Sequence, residues 1–138
     1  MSTQNIDQPM SPNQMLAEAR KTVPEITAAQ AKEDLENGQV DLILDVREPY
    51  EWDKGHIPGA VLAPRGMLEW YAEPTSPYAK PELTTKRGGR IVVHCAAGGR
   101  SLLAAETLKK MGYSDVVSMA GGFNDWSTQG FPVESSTR

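Results

Sequence analysis

Short β-branched or apolar runs alternate with segments of helical period along this chain, and that alternation constrains its fold more than any other feature. Val40 to Val46 is apolar apart from Asp41 and Asp45, the pattern of a central strand buried on both faces. Ala60 to Ala63 is a second run, after the turn Ile57-Pro58-Gly59. Ile91 to His94 is a third, bounded by Gly88-Gly89, and Val116 to Met119 a fourth. Helix signals fall between them. Thr27 and Gln30 have the spacing of a capping box; Ala28, Ala31 and Leu35 follow on one face, and Gly38 is placed to end that helix. From Arg100, the residues Leu102, Ala105, Leu108 and Met111 recur every third position. Lys109 and Lys110 then suit a helix carboxyl end and Gly112 its cap. Gly122 to Thr128 reads as a last helix. Alternation of this kind predicts an α/β fold, a parallel sheet covered by helices.

One domain is expected from 138 residues. Residues 1–22 read as a loose or partly helical segment, 23–133 as the folded domain, and 134–138 as a polar tail. A formal charge of −4 argues against a general affinity for nucleic acid or for anionic membranes. No apolar run approaches the ~20 residues that span a bilayer, and Met1 to Pro12 lacks the plan of a secretory signal. A cytoplasmic protein is the expectation. The single cysteine excludes an intrachain disulfide and a CxxC pair; with two histidines besides, no metal site and no cofactor are expected.

In a parallel sheet, ligands bind beyond the carboxyl ends of the strands. Three segments should therefore supply a site: Asp45 to Tyr50, Pro64 to Trp70, and Cys95 to Ser101. The last is the most informative. Cys95 ends a buried strand, Ala96 and Ala97 keep the turn narrow, and Gly98 and Gly99 permit a tight bend. The helix that follows adds partial positive charge at its start, with Arg100 in the first turn and Ser101 beside it. Backbone N–H groups of such a turn can converge on the sulfur as an anion nest, favouring the thiolate a nucleophile needs. A free cysteine often serves as a small apolar residue instead, but strand, glycines, arginine and helix here fall in the order that chemistry requires. His94, alternating with Cys95, is expected to face the other way and to pack. Ser101 reads as a cap or a donor within the loop.

These motifs resemble those of the single-domain rhodaneses, the thiosulfate sulfurtransferases. Cys95-Ala-Ala-Gly-Gly-Arg100-Ser101 looks like their active-site loop. Asp45-Val46-Arg47-Glu48 with Tyr50-Glu51, Gly55-His56-Ile57-Pro58-Gly59-Ala60, and Gly121-Gly122-Phe123 with Trp126 agree in the family's order. The resemblance implies a rhodanese-like domain: a central, mainly parallel five-stranded sheet with helices on both faces. It implies that Cys95 takes the outer sulfur of thiosulfate or a persulfide, then yields it to cyanide or a thiol in a ping-pong cycle. No second cysteine exists to reduce that persulfide, so the acceptor is external, a small molecule or a protein; a protein sulfur donor fits equally. Arg100 would serve anionic donors. Asp45 and Arg47 are expected to brace the site from behind, Arg47 with Glu51 within reach as an ion-pair partner. Arg65 would be a second contact for an anionic donor.

Two other readings stay open. A phosphatase-like or arsenate-reductase-like cysteine enzyme would use a related loop, but tyrosine phosphatases carry one residue more between cysteine and arginine. A non-catalytic binding or regulatory module is the other, against which the intact Cys95 and Arg100 count.

Overall fold

The computed structural model describes residues 8–136. Its centre is a sheet of five strands, β1 (Glu25–Ile26), β2 (Leu42–Asp45), β3 (Val61–Leu62), β4 (Arg90–His94) and β5 (Asp115–Met119), in the order β1-β5-β4-β2-β3. Every pairing is parallel. The two interior strands β2 and β4 are paired from Leu42 with Ile91 to Asp45 with His94, which sets these last two residues side by side.

Alternation along the strands divides the core into two layers. Leu42, Leu44, Ile91, Val93 and Val116 point to one face, where α1 (Pro12–Arg20), α4 (Leu68–Ala72), α5 (Pro81–Thr84) and α6 (Gly99–Lys110) cover them. Ile43, Val92, Val117 and Met119 point to the other, under α2 (Ala28–Glu36) and α7 (Gly122–Thr128). The Thr27–Gln30 capping box forms in both directions and starts α2, whose Ala28 and Ala31 are buried. Leu102, Ala105 and Leu108 are the buried stripe of α6, and Lys109 and Lys110 lie in its last turn.

The short elements are those that period alone does not reveal. β1 has two residues, and α3 (Pro49–Lys54) is an exposed helix of six. The long connection from Arg65 to Gly89 is not a bare loop; a 3₁₀ turn (Arg65–Met67), α4 and α5 occupy it and bury Leu68, Ala72 and Leu83. Within the N-terminal segment, Ser11 caps α1 through a capping box with Gln14, and Ala19 is buried. Residues 1–7 of that segment, expected to be loose, lie outside the described residues. Glu134 forms an antiparallel bridge with His56, and the Ser136 N–H donates to the Asp53 carbonyl. No helix among the described residues is long and apolar enough to cross a membrane.

Candidate active site

Cys95 leaves β4 at the carboxyl edge of the sheet, and α6 begins four residues later. The chain turns between them through Gly98, whose φ of 116° no side chain adopts without strain. The turn folds around the sulfur. The Gly98 N–H donates to Sγ at 3.1 Å and the Ser101 N–H at 3.4 Å, while the thiol lies 3.5 Å from the Ser101 Oγ. Two backbone donors therefore converge on the sulfur from the start of a twelve-residue helix, whose dipole adds to their field. Cys95 is 1% exposed, so a reactant must bring its own atom into the cradle.

Ser101 is more than a cap. Its Oγ also bonds the Gly98 carbonyl at 3.1 Å and the Ser118 Oγ of β5 at 2.8 Å, which ties the loop to the next strand. Ser118 was not singled out from the sequence; its signal is a serine within an otherwise apolar strand. A second brace comes from α7. The N–H groups of Phe123 and Asn124 donate to the carbonyls of Cys95 and Ala96, at 2.8 and 3.0 Å. Gly122 is the close approach that permits this, since a Cβ there would sit 2.4 Å from the Cys95 oxygen.

Behind the loop lies a buried polar cluster. Arg47 donates to Asp45 through Nε at 3.0 Å and through a terminal nitrogen at 2.8 Å, and its main-chain N–H binds the same carboxylate. The guanidinium also holds the Gly55 carbonyl and lies 4.3 Å from the centre of the Phe123 ring. His94 is wholly buried; its Nδ1 faces the Cys95 carbonyl at 3.3 Å and its Nε2 has no hydrogen-bond partner, 3.7 Å from Asp45. Burial lowers the His94 pKa, with the Asp45 charge opposing, so the ring stays neutral.

The expected Arg47–Glu51 pair does not form. Asp45 is two residues from Arg47 and takes its guanidinium, while Glu51 reaches across to Arg100 in a two-pronged bond of 2.8 and 3.0 Å. The Arg100 hydrogen bond, against the effect of burial, lowers the Glu51 pKa to about 2, and Arg100 is raised in turn, chiefly by Glu51. The clue to Glu51 was its place in the segment after β2, where ligands of such sheets bind. Arg65 is not brought to the cysteine. It holds Glu69 and the Thr107 hydroxyl, and Thr107 lies about 9 Å along α6 from Ser101. Trp70 is half exposed, Tyr71 packs on the core, and Trp126 is buried with its Nε1 donating to the Pro132 carbonyl. Among the described residues no cluster of His, Cys, Asp and Glu suits a metal ion.

The Rhodanese-like domain family model matches residues 27–129. The putative sulfur carrier protein YrkF of Bacillus subtilis is 35% identical over 111 residues, 80% of this chain and 55% of that protein. A protein from Allochromatium vinosum named simply sulfurtransferase is 29% identical, over 80% of this chain and 94% of its own length. Several relatives are longer, and the chain spans only 24% to 55% of them. Among solved structures, a protein of Rhodopseudomonas palustris described as of unknown function and a possible tyrosine phosphatase superposes with a TM-score of 0.84. It is 38% identical, over 97% of this chain and all of that one.

Proposed function

The chain belongs to the rhodanese-like domain family, and from that premise we propose that it is a sulfurtransferase whose sulfur-carrying residue is Cys95. In the first half-reaction the Cys95 thiolate attacks the outer sulfur of thiosulfate or of a persulfide; the S–S bond of the donor breaks, and sulfite or a thiolate leaves. In the second, cyanide or an external thiolate takes the outer sulfur from the Cys95 persulfide and returns the thiolate. The observation that carries this reading is the pair of N–H donors on Sγ at the start of α6. Gly99 and Arg100 open that helix, so their N–H groups lack intrahelical partners and remain for an outer sulfur. Ala96, Ala97 and Gly98 shape the turn. Asp45 and Arg47 hold it from behind, with no contact to the sulfur among their bonds. Arg65 is left out of this reading, because its guanidinium is engaged elsewhere.

A lone thiol that cycles through a persulfide suits the reducing cytoplasm. The relatives named as sulfur carrier and sulfurtransferase support transfer to or from other proteins as well as small molecules. The phosphatase description of the R. palustris protein points to the other reading. Against it, a tetrahedral phosphate needs a wider ring of donors than this four-residue turn between Cys95 and Arg100 offers, and a single sulfur atom needs less.

Intact mass measured after incubation with thiosulfate, or with a persulfide, tests the proposal. We expect a gain of one sulfur that cyanide removes as thiocyanate, and no gain in Cys95→Ser. Absence of the adduct with both donor types refutes the reading.

A further inference from the structure

Arg100 is the one guanidinium in the first turn of α6, and both of its terminal nitrogens are spent on Glu51. Glu51 is itself fixed. Its Oε1 accepts the Glu48 N–H at 2.9 Å, so the carboxylate is part of the capping box that starts α3. The pair is only partly exposed, with Glu51 at 18%, so solvent screens it less than a surface pair. Cys95 and Glu48 both lie close enough to Arg100 to add to its basicity, after the dominant effect of Glu51. The other nearby guanidinium, Arg47, is bound to Asp45. Around the sulfur, then, two guanidiniums face the three carboxylates of Asp45, Glu48 and Glu51. The positive field left at the mouth is that of the helix start alone.

We propose that Glu51 sets donor choice. By holding the Arg100 guanidinium it leaves the mouth of the Cys95 loop without a free cation, so the site takes sulfur from monoanionic donors, persulfides or thiosulfonates, in preference to the thiosulfate dianion. This rests on the sulfurtransferase reading and names its substrate class. A dianion gains most from a free cation, and to reach Arg100 it must displace a carboxylate already bound with good geometry. A monoanion loses less at this mouth. The chemistry is balanced for both: methanethiosulfonate gives the Cys95 persulfide and methanesulfinate, and thiosulfate gives the same persulfide and sulfite.

The variant is Glu51→Gln, whose amide oxygen still accepts the Glu48 N–H. Two probes of matched shape differ by one charge: thiosulfate against methanethiosulfonate in turnover, and iodoacetate against iodoacetamide in alkylation of the single thiol. In Glu51→Gln we expect the thiosulfate to methanethiosulfonate ratio of kcat/KM to rise about fivefold, mainly through KM, and the iodoacetate to iodoacetamide ratio to rise alike. In an Arg100→Gln background the same change should have no effect on either ratio. Unchanged ratios in a folded Glu51→Gln protein overturn the proposal, as does a rise that persists without Arg100. Should that variant fail to fold, the native protein carries the test. Its alkylation ratio should change less than about twofold between low and high salt, and a steeper fall would reveal a positive mouth and refute the assignment. Loss of turnover with both donors, beside a raised alkylation ratio, would refute the sulfurtransferase reading and uphold Glu51 as the charge that occupies Arg100.

Discussion

Gly122→Ala puts the bracing of the cysteine loop to a quantitative test. Gly122 has φ +52°, and an added Cβ would lie 2.4 Å from the Cys95 oxygen, 2.7 Å from the Ala96 oxygen and 2.8 Å from the Ala96 carbonyl carbon. All three are backbone atoms, so no side chain can swing aside. An L-residue in the left-handed region costs about 1–2 kcal/mol. Moving α7 off the loop also weakens the bonds from Phe123 and Asn124 to the Cys95 and Ala96 carbonyls, each worth about 0.5–1.5 kcal/mol. The expected loss is therefore about 3–4 kcal/mol, a large share of the roughly 5–15 kcal/mol that holds a domain together. Because the strained contact is with Cys95 itself, sulfur transfer should fall further than stability does; a shift of about 1 Å at a reacting atom can cost about a hundredfold. Gly112→Ala is the internal control. Its φ is +91° with nothing within 4 Å of a Cβ, so about 1 kcal/mol of backbone cost stands alone. Urea unfolding of both variants, with transfer assayed in native conditions, gives the comparison. If Gly122→Ala loses no more stability than Gly112→Ala and keeps its activity, the brace from α7 is not what holds the loop.

Asp45→Asn should lose about 3–5 kcal/mol in urea unfolding, because it strands the buried Arg47 guanidinium without its counter-charge; a loss below about 1 kcal/mol would show the pair to be dispensable. Acid should weaken the fold in two stages. His94 has a folded pKa below its ordinary 6.5, so the unfolded chain binds a proton the folded one refuses, and stability falls as pH drops below 6.5. Glu51 is held at about 2 against an ordinary 4.5, so its contribution is complete above 4.5 and is lost between there and 2. Urea midpoints against pH should show both stages, the first missing in His94→Gln and the second reduced in Glu51→Gln; a flat profile from 6.5 to 4.5 would mean that His94 takes its proton in the folded state.

Local chemistry was legible in the sequence wherever a signal spans only a few residues. The capping box at Thr27 and Gln30, the α6 stripe of Leu102, Ala105 and Leu108, and the strand ending in His94 formed as their periods predict. The elements that escaped are too short for a period to register. β1 has two residues and α5 four, held by packing against their neighbours. The cysteine turn was also readable, because strand, glycines and helix start are contiguous. Its two N–H donors to Sγ come from within six residues of Cys95.

Partnerships between distant segments were not readable. Arg47, Arg65 and Arg100 each had several carboxylates within conceivable reach, and a charge in a sequence carries no direction. The sheet order β1-β5-β4-β2-β3 decides the matter, since it sets the carboxyl end of β2 beside that of β4. That adjacency lets α3 present Glu51 to Arg100, 49 residues on, and leaves Asp45 to Arg47. Arg65, carried past the loop on the far side of β3, meets Thr107 instead. The sequence by itself determined the α/β class, the family and the cysteine turn, because each is encoded by neighbouring residues. The tertiary structure alone decided which carboxylate occupies Arg100 and how α7 closes on Cys95, because both depend on where the sheet puts the ends of its strands.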